Sequence, residues 1–168
     1  MQLIETIEVG SAGSASIEFT SIPQDGVDLM LLLSLRINAG GQAKLVQLRL
    51  NNDSGSKYSN RWISGTGTAV TYNSDSSQTS WRAGYATGIS ASSSTFGNQS
   101  ILIPNYSASN NKTFSTEGVS ENNATEAWQD LATGVATITD AISSVQIFYI
   151  GANILQYSTA SLYKITAD

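Results

Sequence analysis

The chain has neither cysteine nor histidine among its 168 residues. Without cysteine there is no disulfide framework, no thiolate metal site and no cysteine nucleophile, and redox compartment leaves no trace. Without histidine the usual general base and the commonest metal ligand are both missing, so no Ser-His-Asp triad can be built. Charged residues make up only 12% of the chain, roughly half the ordinary share. The eight Lys and Arg stand singly between Arg36 and Lys164, and the net charge is −5, so a nucleic-acid backbone finds no basic patch and is not an expected partner. No apolar run reaches the roughly 18 residues of a membrane span. Met1 is followed at once by amphipathic sequence and not by a basic and then apolar leader, so the chain reads as soluble, uncleaved and not inserted in a membrane.

What is present is 40% hydrophobic residues and 42 Ser and Thr, which suits strands with polar, uncharged outer faces better than helices. Short apolar alternations recur between Gly, Ser and Asn clusters, the pattern of a sandwich or barrel. They predict strands at Leu3–Val9, Ala15–Phe19, Asp28–Ile37, Val46–Leu50, Arg61–Ser64, Ala69–Asn73, Trp81–Thr87, Gln99–Ile103, Lys112–Val119, Trp128–Ala136, Val145–Ile150 and Ser158–Ile165. Ala124–Leu131 has helical propensity, which allows one helical turn there. The Ser-rich stretches Ser74–Ser80 and Ser90–Thr95 read as long loops inside one domain spanning 1–168. The fold class expected is all-β, a two-sheet antiparallel sandwich of jelly-roll type.

One run breaks the period-two rule. Leu29, Met30, Leu31, Leu32 and Leu33 are apolar at every position, so both faces of that strand are expected to be covered, one by the core and the other by a loop or a subunit partner. These five residues are the candidate subunit contact, and self-association, most readily as a homotrimer, is the expected consequence.

Candidates for chemistry are few. Glu117, Glu121 and Glu126 are the closest acids, but positions four apart on one strand lie roughly 13 Å from each other, beyond the reach of a glycosidase carboxyl pair. Asn51, Asp53 and Gly55 resemble a calcium loop, yet Gly stands fifth where sixth is needed and Trp62 holds the place of the bidentate Glu. A hairpin turn is favoured. Tyr58, Trp62, Tyr72, Trp81, Tyr85 and Tyr106 offer rings on which a glycan could stack, with core packing the competing reading. Five Asn-x-Ser/Thr sequons, at Asn52, Asn98, Asn105, Asn111 and Asn123, are close to the roughly three expected by chance and carry no weight. No enzyme activity, cofactor or metal is expected.

Several segments together resemble small jelly-roll domains of virion proteins of tailed bacteriophages. They are Ser16-Ile17-Glu18-Phe19-Thr20-Ser21-Ile22-Pro23, the stretch Leu48-Arg49-Leu50-Asn51-Asn52-Asp53-Ser54-Gly55-Ser56-Lys57-Tyr58-Ser59, Ile101-Leu102-Ile103-Pro104-Asn105-Tyr106, Ser120-Glu121-Asn122-Asn123-Ala124-Thr125 and Gln156-Tyr157-Ser158-Thr159-Ala160-Ser161-Leu162-Tyr163. The resemblance spans almost the whole chain, and its motifs are structural ones. It implies a virion-surface structural protein, with the major capsid protein or other virion proteins as partners. The first role it implies is decoration or cementing of the outer capsid, and the second is a tail-fibre tip that binds a host surface glycan. It carries no catalytic pattern.

Overall fold

A computed structural model describes residues 1–121 and 127–166. Among them are twelve strands and no helix. The strands are β1 (Gln2–Glu8), β2 (Ser16–Phe19), β3 (Asp28–Ile37), β4 (Ala43–Leu50), β5 (Tyr58–Gly65), β6 (Val70–Gln78), β7 (Trp81–Gly88), β8 (Gly97–Ile103), β9 (Lys112–Glu121), β10 (Ala127–Ala136), β11 (Val145–Phe148) and β12 (Thr159–Ile165).

They make one large open sheet folded over on itself. Eight strands run in the order β1-β12-β3-β8-β9-β10-β5-β6, and β2-β11-β4-β7 make the remaining part. The two parts join where Arg36 and Ile37, at the end of β3, run parallel to Thr87 and Gly88 of β7. Every other ladder is antiparallel. The sheet is therefore mixed at this bridge, within an all-β and mainly antiparallel fold.

Period-two apolar sequence places the core. In β4, Val46, Leu48 and Leu50 are buried and the residues between them are half-buried. In β3 it is Leu29, Leu31, Leu33 and Leu35 that point inward, joining Ile17, Phe19, Ile101, Ile103, Val145, Ile147 and Leu162 in one hydrophobic cluster. Beyond the bridge β7 lies across the inner face of the larger part. Thr116 Oγ1 donates to the Ala83 carbonyl at 3.2 Å, and the Thr87 and Ser120 hydroxyls meet at 3.2 Å. Gln99 Nε2 donates to the Tyr85 carbonyl. Gly84, with φ +105°, and Gly118 flank Gln99, and a Cβ on either would stand 2.9 or 2.8 Å from Gln99 Cγ. The close approach requires glycine at both.

Two expectations are corrected. Ser74–Gln78 continue β6 instead of starting a loop, because pairing with β5 supplies the backbone partners that the polar side chains do not predict. Ala127–Leu131 are strand, paired on both sides by β9 and β5, so tertiary pairing overrides helical propensity. Ala124–Glu126 lie outside the described residues. Finally, among the described residues the outward side of Leu29–Leu33 is left partly open: Leu32 is 41% exposed and Met30 half-buried.

Candidate functional site

The candidate site grows from the outward side of the eight-strand part. Residues directly opposite one another on neighbouring strands share a face, and the pairing draws one row across all eight strands. It runs Thr6, Ser161, Leu32, Ser100, Glu117, Leu131, Ile63 and Tyr72, counting one residue from each strand it crosses. Leu32, Leu131, Ile63 and Tyr72 are 41%, 41%, 46% and 81% exposed. A second row, Tyr163, Met30, Leu102, Ser115, Thr133 and Arg61, runs beside it. Glu117 and Arg61 are charges set among these groups, and Ser100 Oγ donates to Glu117 at 3.3 Å.

Three adjoining depressions mark the same face. The largest, about 580 Å³, lies between Leu32, Ser100, Glu117, Val119 and Gln129. A second of about 390 Å³ lies over Arg61, Ile63, Ser115, Leu131 and Thr133, and a third of about 290 Å³ over Met30, Ser100, Leu102 and Glu117. Shallow, apolar and poor in charge, the face suits contact with another macromolecule better than enclosure of a small ligand.

The five residues proposed as a subunit contact divide by period. Leu29, Leu31 and Leu33 are 0%, 0% and 3% exposed and belong to the core, so no partner reaches them. Met30 and Leu32 belong to the outward rows.

The six aromatics proposed as a glycan platform also divide. Tyr58, Trp81 and Tyr106 are fully buried and present no face to a sugar. Tyr58 Oη accepts from Leu50 N at 3.1 Å and donates to the Asp53 carbonyl at 2.9 Å, and burial pushes its hydroxyl up to about 12. Tyr106 Oη donates to the Pro23 carbonyl, and burial raises its pKa too. Trp81 packs edge-on to Tyr58 at 5.8 Å and against Phe114 at 4.5 Å. Trp62 and Tyr85 are half-buried and hold the Arg82 guanidinium between them, at 4.6 and 4.7 Å from their ring centroids. Tyr72 alone of the six is freely presented. The six share no single surface.

The acids and the turn show no joint chemistry. Glu117 lies on the outward face, whereas Glu121 accepts from Ser92 N at 2.9 Å and Ser92 Oγ at 2.7 Å; Glu126 lies outside the described residues. Asp53 Oδ1 accepts from Gly55 N at 2.8 Å and Oδ2 from Lys57 Nζ at 2.6 Å. The Lys57 hydrogen bond holds the Asp53 carboxyl below its ordinary pKa. Asn51 and Asn52 take left-handed φ of 50° and 53°, and Asn51 Oδ1 accepts from Ser143 N at 2.8 Å. This is a turn tied to its neighbours. Among the described residues no group of three or more acids stands ready to hold a metal ion.

Sequence reading missed an interior polar cluster. Arg82 bridges to Asp130 through Nη2–Oδ1 at 2.7 Å and Nε–Oδ2 at 3.3 Å, and Ser64 Oγ also donates to Asp130. Burial works against the Arg82 charge, but the bonds and attraction from Asp130 outweigh it and raise its pKa. Asn60 Oδ1 accepts from Arg82 N at 2.8 Å and Asn60 Nδ2 donates to Asp75 at 2.7 Å. The available signal was parity, since Asp130 occupies the inward phase shared by Ala132. With Arg82 6% and Asp130 1% exposed, the pair is structural: its groups satisfy one another and face no solvent. No protein-family model matches the chain, and no curated protein matches it.

Proposed function

We propose that the chain is a structural protein of a bacteriophage virion, which decorates or cements the outer capsid surface as a homo-oligomer and performs no catalysis. In this reading the folded-over sheet is a two-sheet sandwich of jelly-roll type and residues 1–168 form a single domain. The virion setting comes from the sequence resemblance. The observation that carries the assembly role is the outward apolar row Leu32, Leu131, Ile63 and Tyr72, each at least 41% exposed, on a face with few charges to desolvate. A contact there gains from apolar burial and meets little electrostatic resistance.

Electron microscopy of the particle tests the reading directly. Copies by the hundred on the head are expected, and Leu131→Asp should strip them while leaving the isolated protein folded. A handful of copies at the tail would move the assignment to the receptor-binding alternative, in which a host glycan meets Tyr72. Absence from the particle would refute both.

A further inference from the structure

We propose that β6 is a strand-addition edge, and that its occupant is β6 of a second copy of this chain, paired antiparallel about a twofold axis at Tyr72. The inference names a contact for the assembly proposed above, rests on that reading for its setting, and can fail without it.

The observation begins at the β5–β6 turn, where Thr66 N donates to the Ala69 carbonyl at 3.0 Å. Antiparallel ladders alternate bonded and non-bonded pairs. Counting from that closing pair, Ser64–Thr71 and Trp62–Asn73 are the bonded pairs, and Val70, Tyr72 and Ser74 stand opposite Gly65, Ile63 and Arg61 in non-bonded ones. The N–H and C=O of Val70, Tyr72 and Ser74 therefore point away from β5, the Ser74 N–H donating to the exposed Asn73 Oδ1 at 2.8 Å. Among the described residues no strand lies there, since β6 ends the sheet. An open edge of this kind is a template for pairing.

Self-complementarity selects the occupant. With the axis at Tyr72, Tyr72 faces Tyr72 of the second copy and exchanges two backbone bonds with it, and Val70 faces Ser74, whose N–H exchanges its exposed Asn73 Oδ1 acceptor for the Val70 carbonyl. The segment Val70–Ser74 carries no charge, so no like charges meet across the axis. The outward row also continues through the contact: Leu131, Ile63 and Tyr72 meet Tyr72, Ile63 and Leu131 of the second copy on one face. The opposite edge of the same part, β1, is built against such pairing. It carries Glu5 and Glu8 and a register shift between Leu3 and Glu5, devices that close an edge. On β6 the regular stretch ends at the shift between Tyr58 and Asn60, near Ser77 with φ 55°, which confines the contact to the Val70 half.

Light scattering coupled to gel filtration, on the whole chain at about 10 to 100 µM, is the test. The expected species has twice the 17.8 kDa chain mass. Tyr72→Pro removes an N–H that β5 does not use, so the fold is kept while the dimer weakens at least about tenfold; Leu32→Asp leaves the dimer intact. A wild-type monomer across this range overturns the inference and leaves assembly on the particle standing. An oligomer that survives Tyr72→Pro but dissolves with Leu32→Asp overturns it in favour of the outward face. A monomer whose β6 pairs with another virion protein overturns the choice of occupant. Should Tyr72→Pro fail to fold, Tyr72→Cys decides, in a chain with no other cysteine. Bonded antiparallel pairs hold Cα atoms about 5.5 Å apart, within disulfide reach. Oxidation to a linked dimer faster than a Thr6→Cys control supports the pairing, and no difference from that control overturns it.

Discussion

The two halves of the interior are built on opposite terms. Where β3, β8 and β12 face β2, β4 and β11, the inward positions carry Leu29, Leu31, Ile101, Ile103, Leu162, Ile17, Leu48 and Ile147, all at most 2% exposed. Where β7 crosses β9, β10 and β5, Trp81, Ala83, Phe114 and Ala132 share the interior with a set of buried polar groups, Arg82, Asp130, Ser64, Thr116 and Ser120, together with Gln99 of β8. Apolar packing is non-directional, and similar contacts would survive a small slide of one layer over the other. The polar half allows no slide: the Arg82 fork meets one carboxylate, between two rings, with Asn60 holding its backbone N. The first half supplies burial and the second fixes position. In that second half, Trp81 Nε1 and Gln99 Oε1 find no protein hydrogen-bond partner among the described residues.

Substitutions at matched depth can break or sharpen this contrast. Asp130→Ala should cost most, about 3 to 5 kcal/mol, because it strands the Arg82 charge in the interior. The double variant R82M/D130L should recover most of that loss in urea unfolding, since apolar replacements relieve the desolvation cost. A double variant as unstable as Asp130→Ala would mean that the pair contributes net stability and not only position. Leu31→Ala comes next, at about 2 to 4 kcal/mol, as a transfer and cavity loss with no charge left behind. If it exceeds Asp130→Ala, the apolar half is the less forgiving one.

Tyr58→Phe should cost about 1 kcal/mol at neutral pH, for one buried hydroxyl lost. Its stronger signature is alkaline. Burial raises the Tyr58 pKa from 10.0 to about 12, so between those values the folded state keeps a proton that the unfolded state releases. Stability from this group is complete below pH 10 and lost as pH rises through about 12. Wild type should therefore lose its advantage over Tyr58→Phe across that window, read as converging denaturation midpoints. The smallest effect expected is Thr116→Val, about 0.5 to 1.5 kcal/mol, from removing one donor to the Ala83 carbonyl.

Legibility in the sequence follows the same divide. Strands whose inward positions are apolar announce themselves by period, as Val46, Leu48 and Leu50 do. The same parity separates Leu29, Leu31 and Leu33 from Met30 and Leu32 once the strand is placed, but five consecutive apolar residues hide which set faces in. β6 was only half visible, because Ser74–Gln78 have no apolar phase and are held by backbone pairing and the Asn60–Asp75 hydrogen bond. The Arg82–Asp130 pair joins residues 48 apart on strands that never pair, and nothing local reports such a meeting. Likewise the outward row is assembled one residue per strand from eight separate segments, so only the registers of the sheet bring it into view.

The place of β12 bears on how the chain folds. It lies between β1 and β3, so the strand made late is a middle member of a layer whose neighbours were made early. Until residues 159–165 are available, β3 lacks one of its three ladders, and β1 lacks the only one it makes among the described residues. Contacts this distant in sequence require loop closure before they return any energy, and folds dominated by them form in milliseconds to seconds, not microseconds. During synthesis the leucines of β3 must wait, partly unpaired, for the chain through Ile165 to emerge. Formation of the native sheet must therefore wait until residues 159–165 have emerged.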